Sequence, residues 1–329
     1  MTRPEKISFI FIAATLVLVG SMNMAAPFLT VIFSYFALNK LYFFRSKWLA
    51  VTLFLILMTL ISYGFYYFTR QAIIALPQIA STSIPSVISW AQSHQIDLPF
   101  EDLESAKELI IETLKSQMKM VGNIAKVATK EVALVFIGMV VAVSLFLSHK
   151  VELGREKEFR ANNLYTLSSE LILARFRRFF ESFATVMGAQ ILISLINTTF
   201  TSIFVLWTNL PYKWLVIGVT FLAGLLPILG NLISNTLIVG IAFTISPKFA
   251  ALALAFLITI HKLEYFLNSK IIGDRIKNPM WLTLLAIIVF ERLMGIPGMI
   301  LAPVILHYIK IETSQIEVPT FQKTPDRML

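Results

Sequence analysis

The sequence predicts an all-alpha polytopic membrane protein of about eight to ten membrane segments, including short or re-entrant hairpins, with an external amphipathic helical insertion. Three observations predict it. Of the 329 residues 57% are hydrophobic and only 14% charged, against about 45–50% and 25% in soluble domains, and the mean hydropathy is +0.77. The charges are spaced so that the uncharged intervals between them match or exceed the roughly 20 residues that cross a bilayer. The longest of these intervals are interrupted by Pro, Gly or Asn, residues that break helices only where protein can satisfy the loosened backbone.

The N-terminal membrane segments occupy residues 1–70. Arg3 and Lys6 precede an uncharged run that continues to Asn39 with no convincing signal-peptidase site, so it reads as an anchor retained in the membrane. Asn23 and Pro27 divide that run into two short helices meeting at a tip, and residues 48–69 make one crossing. Residues 71–130 form an extracytoplasmic region. Its first part lacks charge, but the prolines Pro77, Pro85 and Pro99 favour an interfacial or broken helix over a full crossing. Beyond it, Leu103, Leu109, Ile110, Leu114, Met118 and Val121 recur at helical spacing among alternating charges, as in an amphipathic helix outside the hydrocarbon.

Residues 131–149 supply another membrane segment. Residues 150–181 are a cytoplasmic or interfacial helical region, whose Lys150, Arg155, Lys157, Arg160, Arg175, Arg177 and Arg178 would face anionic headgroups and fix the topology. With Arg3, Lys6, Lys40, Arg45, Lys47, Lys262, Lys270, Arg275 and Lys277 they put these loops and both termini on the cytoplasmic side. Residues 182–310 form a C-terminal bundle with helical hairpins, and residues 311–329 a cytoplasmic tail. In the bundle, "LLPILGNLISN" sets Pro227, Gly230 and Asn231 between two apolar halves. The apolar stretches 280–290 and 293–309 are separated by Glu291, Arg292, Gly295, Pro297 and Gly298, which makes them a hairpin that is either re-entrant or built of short, tilted helices.

Several function classes are excluded or disfavoured. The chain has no cysteine, which removes disulfides, thiolate catalysis and sulfur-ligated metals. It contains no Walker A sequence, dinucleotide glycine pattern, HExxH or G-x-S-x-G, so neither enzymatic activity nor a cofactor is expected. The histidines His94, His149, His261 and His307 are far apart in sequence, and no resident metal is expected. The net charge of +9 marks cytoplasmic loops facing membrane lipids rather than a nucleic-acid surface.

Ionisable groups within apolar sequence are costly and commonly line pathways or make internal pairs. Glu264 and Asn268 follow the apolar run 249–260, and spacings of three and four bring His261, Glu264 and Asn268 toward one helical face. Glu291 and Arg292 interrupt the last hairpin. The competing reading makes all of them helix caps or anchors at the interface. The breaks at Pro227–Asn231 and Gly295–Gly298 admit two explanations as well: half-helix ends exposing backbone groups to a transported solute, or tight turns in which glycine relieves crowding and proline fixes the bend.

The ordered set "LLPILGN", "LEYFLNSKIIGDRIKNP" and "GIPGMILAPV" resembles the AI-2E family of bacterial and archaeal membrane permeases, the autoinducer-2 exporter or PerM-like family, over nearly the whole chain. By that resemblance Pro227 and Gly230 match the family's turn, Glu264 and Asn268 its acidic and asparagine pair, Gly273 and Pro279 its polar loop, and Gly295, Gly298 and Pro303 its C-terminal signature. Two departures, Ser269 and Lys270 after the asparagine and Asn231 in the turn, stand where the family often has proline.

The resemblance implies secondary transport without ATP in a cell (inner) membrane, by a homo-oligomer whose candidate form is a pentamer. Two cargoes follow from it. A small polar solute such as autoinducer-2 would use hydrogen-bonding groups such as Asn231, Asn235 and Asn268. A sodium (lithium)/proton antiporter would need a carboxylate that exchanges monovalent cation for proton, Glu264 first and Glu291 second. The alternative to both is a non-transporting membrane scaffold associating through residues 100–130.

Overall fold

The computed structural model describes residues 2–96, 132–148, 163–227, 229–271 and 279–316, and these contain helices and turns but no strand. The amphipathic helix expected over 100–130, Gly273 with its polar loop, and most of the tail lie outside the described residues. Helix α1 (Arg3–Ser21) turns into α2 (Ala25–Leu41). The turn is made by Asn23 at a φ of 55°, a left-handed conformation that Asn tolerates better than most residues. A short 3-10 turn, Tyr42–Phe44, leads to α3 (Lys47–Ser93), whose N-cap Ser46 accepts the Leu49 amide. After α4 (Val132–Leu147), Asn163 caps α5 (Leu164–Trp207) by accepting the Thr166 amide. Helices α6 (Lys213–Gly224), α7 (Leu229–Ile245), α8 (Pro247–Ile271) and α9 (Met280–Ser314) follow.

Among the described residues four helices are long and apolar enough to cross a membrane. At 1.5 Å per residue α3 and α5 are about 70 and 66 Å long, more than the roughly 40–45 Å of a whole bilayer. Large apolar side chains such as Val17, Leu60, Ile73, Ile203 and Trp207 are exposed around the bundle, as on surfaces whose solvent is lipid. Hydroxyls on these helices, among them Thr15, Thr30 and Thr59, donate back to the carbonyl four residues earlier and leave no polar group facing hydrocarbon unpaired at those points.

Packing divides into three main cores and a small one inside α9. Ile12, Leu29 and Ile32 of the first hairpin meet Phe179, Phe183 and Met187 of α5 and Leu301, Val304 and Ile305 of α9. Ala142 and Phe146 of α4 pack on Leu38, Ala50 and Phe54. The third core joins Ala75 and Ile79 of α3 to the end of α5 and to α6, α7 and α8 through Val205, Val216, Ile241 and Ala253. Helix α9 folds back on itself: Gly295 has φ 64° and ψ −150°, and Ala286 and Ile287 pack against Met299 and Ala302. It is the hairpin expected from its glycines and prolines.

Two expectations need correction. The prolines did not break residues 71–96: Pro77 and Pro85 lie inside the continuous helix α3, which also runs through the boundary drawn at residue 70. A helix-interior proline costs about 3 kcal/mol, and here packing offsets it, with Ala75 and Ile79 in the third core and Ser83 Oγ donating to the Gly240 carbonyl at 2.7 Å. Nor does Arg175 face headgroups. It is buried, stacked over the Phe9 ring, donating from Nε to Ser8 Oγ at 2.7 Å and from its guanidinium to the buried Glu312. Arg178 donates to the other Glu312 oxygen at 2.8 Å and to Gln315 at 2.9 Å. The cluster ties the start of α1, the end of α9 and α5 together, and α5 passes unbroken through residue 181.

Candidate functional site

The α6–α7 hairpin positions the site. Helix α6 runs antiparallel to α5, whose Ser194 Oγ donates to the Phe221 carbonyl at 2.7 Å and whose Gln190 Nε2 donates to the Gly224 carbonyl at 2.6 Å. These bonds satisfy carbonyls that the end of a helix leaves open. The hairpin therefore turns beside Gln190, which on the α5 axis lies about 22 Å from Arg175 and about 26 Å from Trp207. The last charged residue of α5 before it is Glu181, about 14 Å away along the axis, so the turn lies within the uncharged stretch of α5, nearer its charged end. Pro227 occupies it, and Gly230, the second residue of α7, is buried against α6. A Cβ at Gly230 would sit 1.9 Å from the Ala223 carbonyl oxygen, so the helices approach closely there because the residue is glycine.

That approach brings α7 onto α8 in a register that pairs polar side chains. Asn231 Nδ2 donates to both Glu264 carboxylate oxygens, at 3.0 and 2.9 Å. One turn along α7, Asn235 Nδ2 faces His261 Nε2 at 2.6 Å, and His261 Nδ1 faces Glu264 Oε2 at 3.2 Å. Asn231 is the third residue of α7, so the carboxylate also stands beside the positive end of that helix dipole. The Glu264 side chain is 13% exposed and that of His261 35%: the carboxylate is largely shut off, and the imidazole opens outward. It opens into a groove of about 450 Å³ between α3, α7 and α8, lined by Asn235 and His261 at its polar end and by apolar residues such as Val87, Val239, Phe243 and Leu257 elsewhere. It is an open groove, with Leu254 and Ile258 on its wall exposed at the surface of the bundle.

Of the residues singled out from the sequence, the structure brings together Asn231, Asn235 and Glu264. Asn268 is four residues further along α8, and its side chain lies outside the description. Pro279 is the exposed N-cap of α9, and Glu291 and Arg292 are exposed just before the bend at Gly295. Gly298 is buried against the first limb of α9, where a Cβ would meet the Phe290 carbonyl oxygen, and Pro303 lies in the second limb. These α9 residues belong to a hairpin that packs on α1, α2 and α5, away from the α7–α8 seam. His261 is the member that sequence reasoning left out of the site, although its spacing from Glu264 already placed the two on one face. Among the described residues no group of three His, Cys, Asp or Glu residues could hold a metal ion.

Long apolar helices with a polar constellation where a hairpin turns inside the bundle define a multi-pass membrane protein with the build of a transporter. A family model described as AI-2E family transporter matches residues 7–316, and the chain belongs to that family. It is similar to "Putative transport protein YdbI" of Bacillus subtilis (strain 168), with 26% identity over 267 residues, 79% of this chain and 74% of the relative. The protein is a membrane transporter of the AI-2E family.

Proposed function

We propose that the chain is a secondary transporter of a small, uncharged, polar solute of the autoinducer-2 kind, and that the α7–α8 constellation is where the solute and the coupling group meet. The observation that carries this reading is the environment of Glu264. Its oxygens are occupied by Asn231 and His261 nitrogens, whereas a sodium or lithium ion needs oxygen ligands, and bound N–H donors would repel it. The adjoining groove offers an amide, an imidazole and apolar walls, which suit a neutral molecule that forms hydrogen bonds at one end. Glu264 holds the seam between α7 and α8 and helps gate or couple movement through it. Asn268 is a candidate for the same path by its sequence spacing from Glu264 alone.

The protein sits in a bacterial or archaeal cell membrane with both termini cytoplasmic. The cluster of Ser8, Arg175, Arg178, Glu312 and Gln315 supports this by gathering the start of α1 and the end of α9 at the arginine-rich end of α5. The working form is a homo-oligomer, with a pentamer as the form to test by native mass spectrometry. Because the chain has no cysteine, single introduced cysteines report sidedness without background.

Reconstituted protein assayed for autoinducer-2 flux and for sodium-dependent proton movement decides among the cargoes. Solute flux without sodium-dependent proton movement supports the proposal. The reverse result assigns a sodium/proton antiporter, and no flux of either kind assigns a scaffold. Glu264→Gln removes the carboxylate charge that Asn231 and His261 bind, and charge-assisted bonds of this type contribute about 1.5–3 kcal/mol, so transport is expected to fall about tenfold or more. Unchanged rate and pH dependence in this variant would sink the role given to Glu264.

A further inference from the structure

We propose that His261 is the proton-carrying group of this transporter and that the Asn235 amide reads its charge, exchanging an acceptor for a donor at the polar end of the groove. The inference rests on the transport reading above and assigns its coupling step to two residues.

The geometry leaves little freedom in the neutral state. With Glu264 ionised, His261 Nδ1 must carry the hydrogen, because it faces a carboxylate oxygen at 3.2 Å. Nε2 is then the acceptor, and it meets the Asn235 amide nitrogen, a donor, at 2.6 Å. Asn235 Oδ1 is left for the groove. When water in the groove delivers a proton to Nε2, both ring nitrogens become donors. The Nδ1 bond to Glu264 persists and gains an ion-pair component, but Nε2–H now opposes an N–H donor at close range. Rotating the Asn235 amide by about 180° about its terminal torsion, a soft and roughly two-fold rotation, restores the bond with Oδ1 as acceptor. The amide hydrogens then point into the groove. An O–H bond of a hydronium ion breaks as the N–H bond forms, leaving neutral water, and the reverse transfer from Nε2 to water occurs when the amide swings back.

The charges around the imidazole are few. Helix α7 has no ionisable side chain, α5 has none from residue 182 to Trp207, and α6 has Lys213 at its far end. Helix α3 has Lys47 at its start and Arg70, with His94 just past its end bonded to the Trp90 carbonyl. On α8 itself Lys248 stands in the first turn and Lys270 near the end in sequence, and Lys262 is exposed next to His261. Glu264 is thus the acidic group in contact with the imidazole among the described residues. His is also the side chain whose charge ordinarily changes near neutral pH, and its partial exposure to the groove gives protons access that the more enclosed carboxylate lacks.

The experiment has two arms. In proteoliposomes, a gradient of one pH unit supports up to about tenfold accumulation of autoinducer-2 for one coupled proton, since a pH unit is about 1.4 kcal/mol. His261→Gln, which also removes a groove residue, is expected to slow flux, and the flux that remains is expected only to equalise the solute across the membrane at either sign of the pH gradient, with no steady-state accumulation. Wild type is expected to show a KM that changes with pH, and Asn235→Ala to weaken solute binding equally at low and high pH, which abolishes that dependence. Accumulation by His261→Gln equal to wild type overturns the proposal. The second arm needs no transport: nitrogen NMR of histidine- and asparagine-labelled protein in lipid nanodiscs, with His261 assigned by its loss in the variant. The expected result is an Nδ1–H tautomer at high pH, a protonated ring at low pH, and Asn235 amide signals that shift with the same midpoint. A ring that never protonates, or amide signals that ignore it, overturns the proposal. If wild type carries no solute, the transport reading fails, and this arm still decides the switch.

Discussion

Replacing Gly230 by alanine tests whether the close approach of α6 and α7 builds the site. The added Cβ would lie 1.9 Å from the Ala223 carbonyl oxygen and 2.5 Å from its carbon. Both are backbone atoms, so no flexible side chain can yield. Moving the oxygen contact from 1.9 Å to a tolerable 3.0 Å parts the helices by about 1.1 Å. Asn231 is the next residue, and a component of about 0.5 Å of that shift directed away from α8 suffices to take its bonds to Glu264 from 2.9 and 3.0 Å to the edge of hydrogen-bond range. Overpacking of this kind costs about 1–3 kcal/mol, and losing the bonds to a charged group adds about 1.5–3 kcal/mol. Thermal unfolding of purified protein in detergent should show a lowered midpoint, and flux should fall with it. Gly188→Ala is the control: nothing lies within 4 Å of its Cβ position on α5, and a helix-interior Gly→Ala change is neutral or stabilising by about 0.5–1 kcal/mol. If Gly230→Ala melts and transports like Gly188→Ala, the hairpin does not set the register of the site.

Two further outcomes follow from the packing. Glu312→Gln leaves Arg175 buried without its carboxylate; breaking such a pair costs about 3–5 kcal/mol, so the yield of folded protein in membranes should drop, and Arg175→Met with Glu312→Leu should recover most of it, because Arg178 is exposed enough to reach water. Gly295→Ala forces a side chain onto φ 64° and ψ −150°, a conformation nearly confined to glycine and costing about 1–3 kcal/mol, so a lowered melting midpoint is expected even though nothing crowds the position.

Where the hairpins turn was legible because the chemistry of a turn is local. Asn23, Pro227 and Gly295 stand inside apolar intervals with no other reason to carry them, and each marks an observed bend or turn. The continuity of α3 was not legible, because local propensity argues against it at Pro77 and Pro85 and the compensation comes from contacts with α5–α8 far along the chain. Arg175 was misread for a similar reason: its partner Glu312 is 137 positions away, and an arginine cluster beside an apolar run otherwise looks like a headgroup anchor. For the site, the spacing of His261, Glu264 and Asn268 gave one face of one helix. The other half, Asn231 and Asn235 on α7, depends on an antiparallel register set by the contact at Gly230, which no single-helix periodicity contains.

Two polar clusters stand out among the described residues of this apolar bundle, and their differences indicate which is structural. Around Arg175 the donors of two arginines converge on one carboxylate, a serine and a glutamine, and both Arg175 and Glu312 are nearly sealed from solvent. The bonds of this cluster run from guanidinium donors to oxygen acceptors and cross from α5 to α1 and α9, so it holds three helices together. Around His261 the partners are an imidazole and a primary amide, each able to donate or accept at the same place, with a groove on one side and a carboxylate on the other. This cluster has two hydrogen-bonded states that differ by one proton and one amide rotation. A transporter needs a group whose state can be exchanged on each cycle, and in a bundle this poor in charge the α7–α8 seam is where the described structure supplies it.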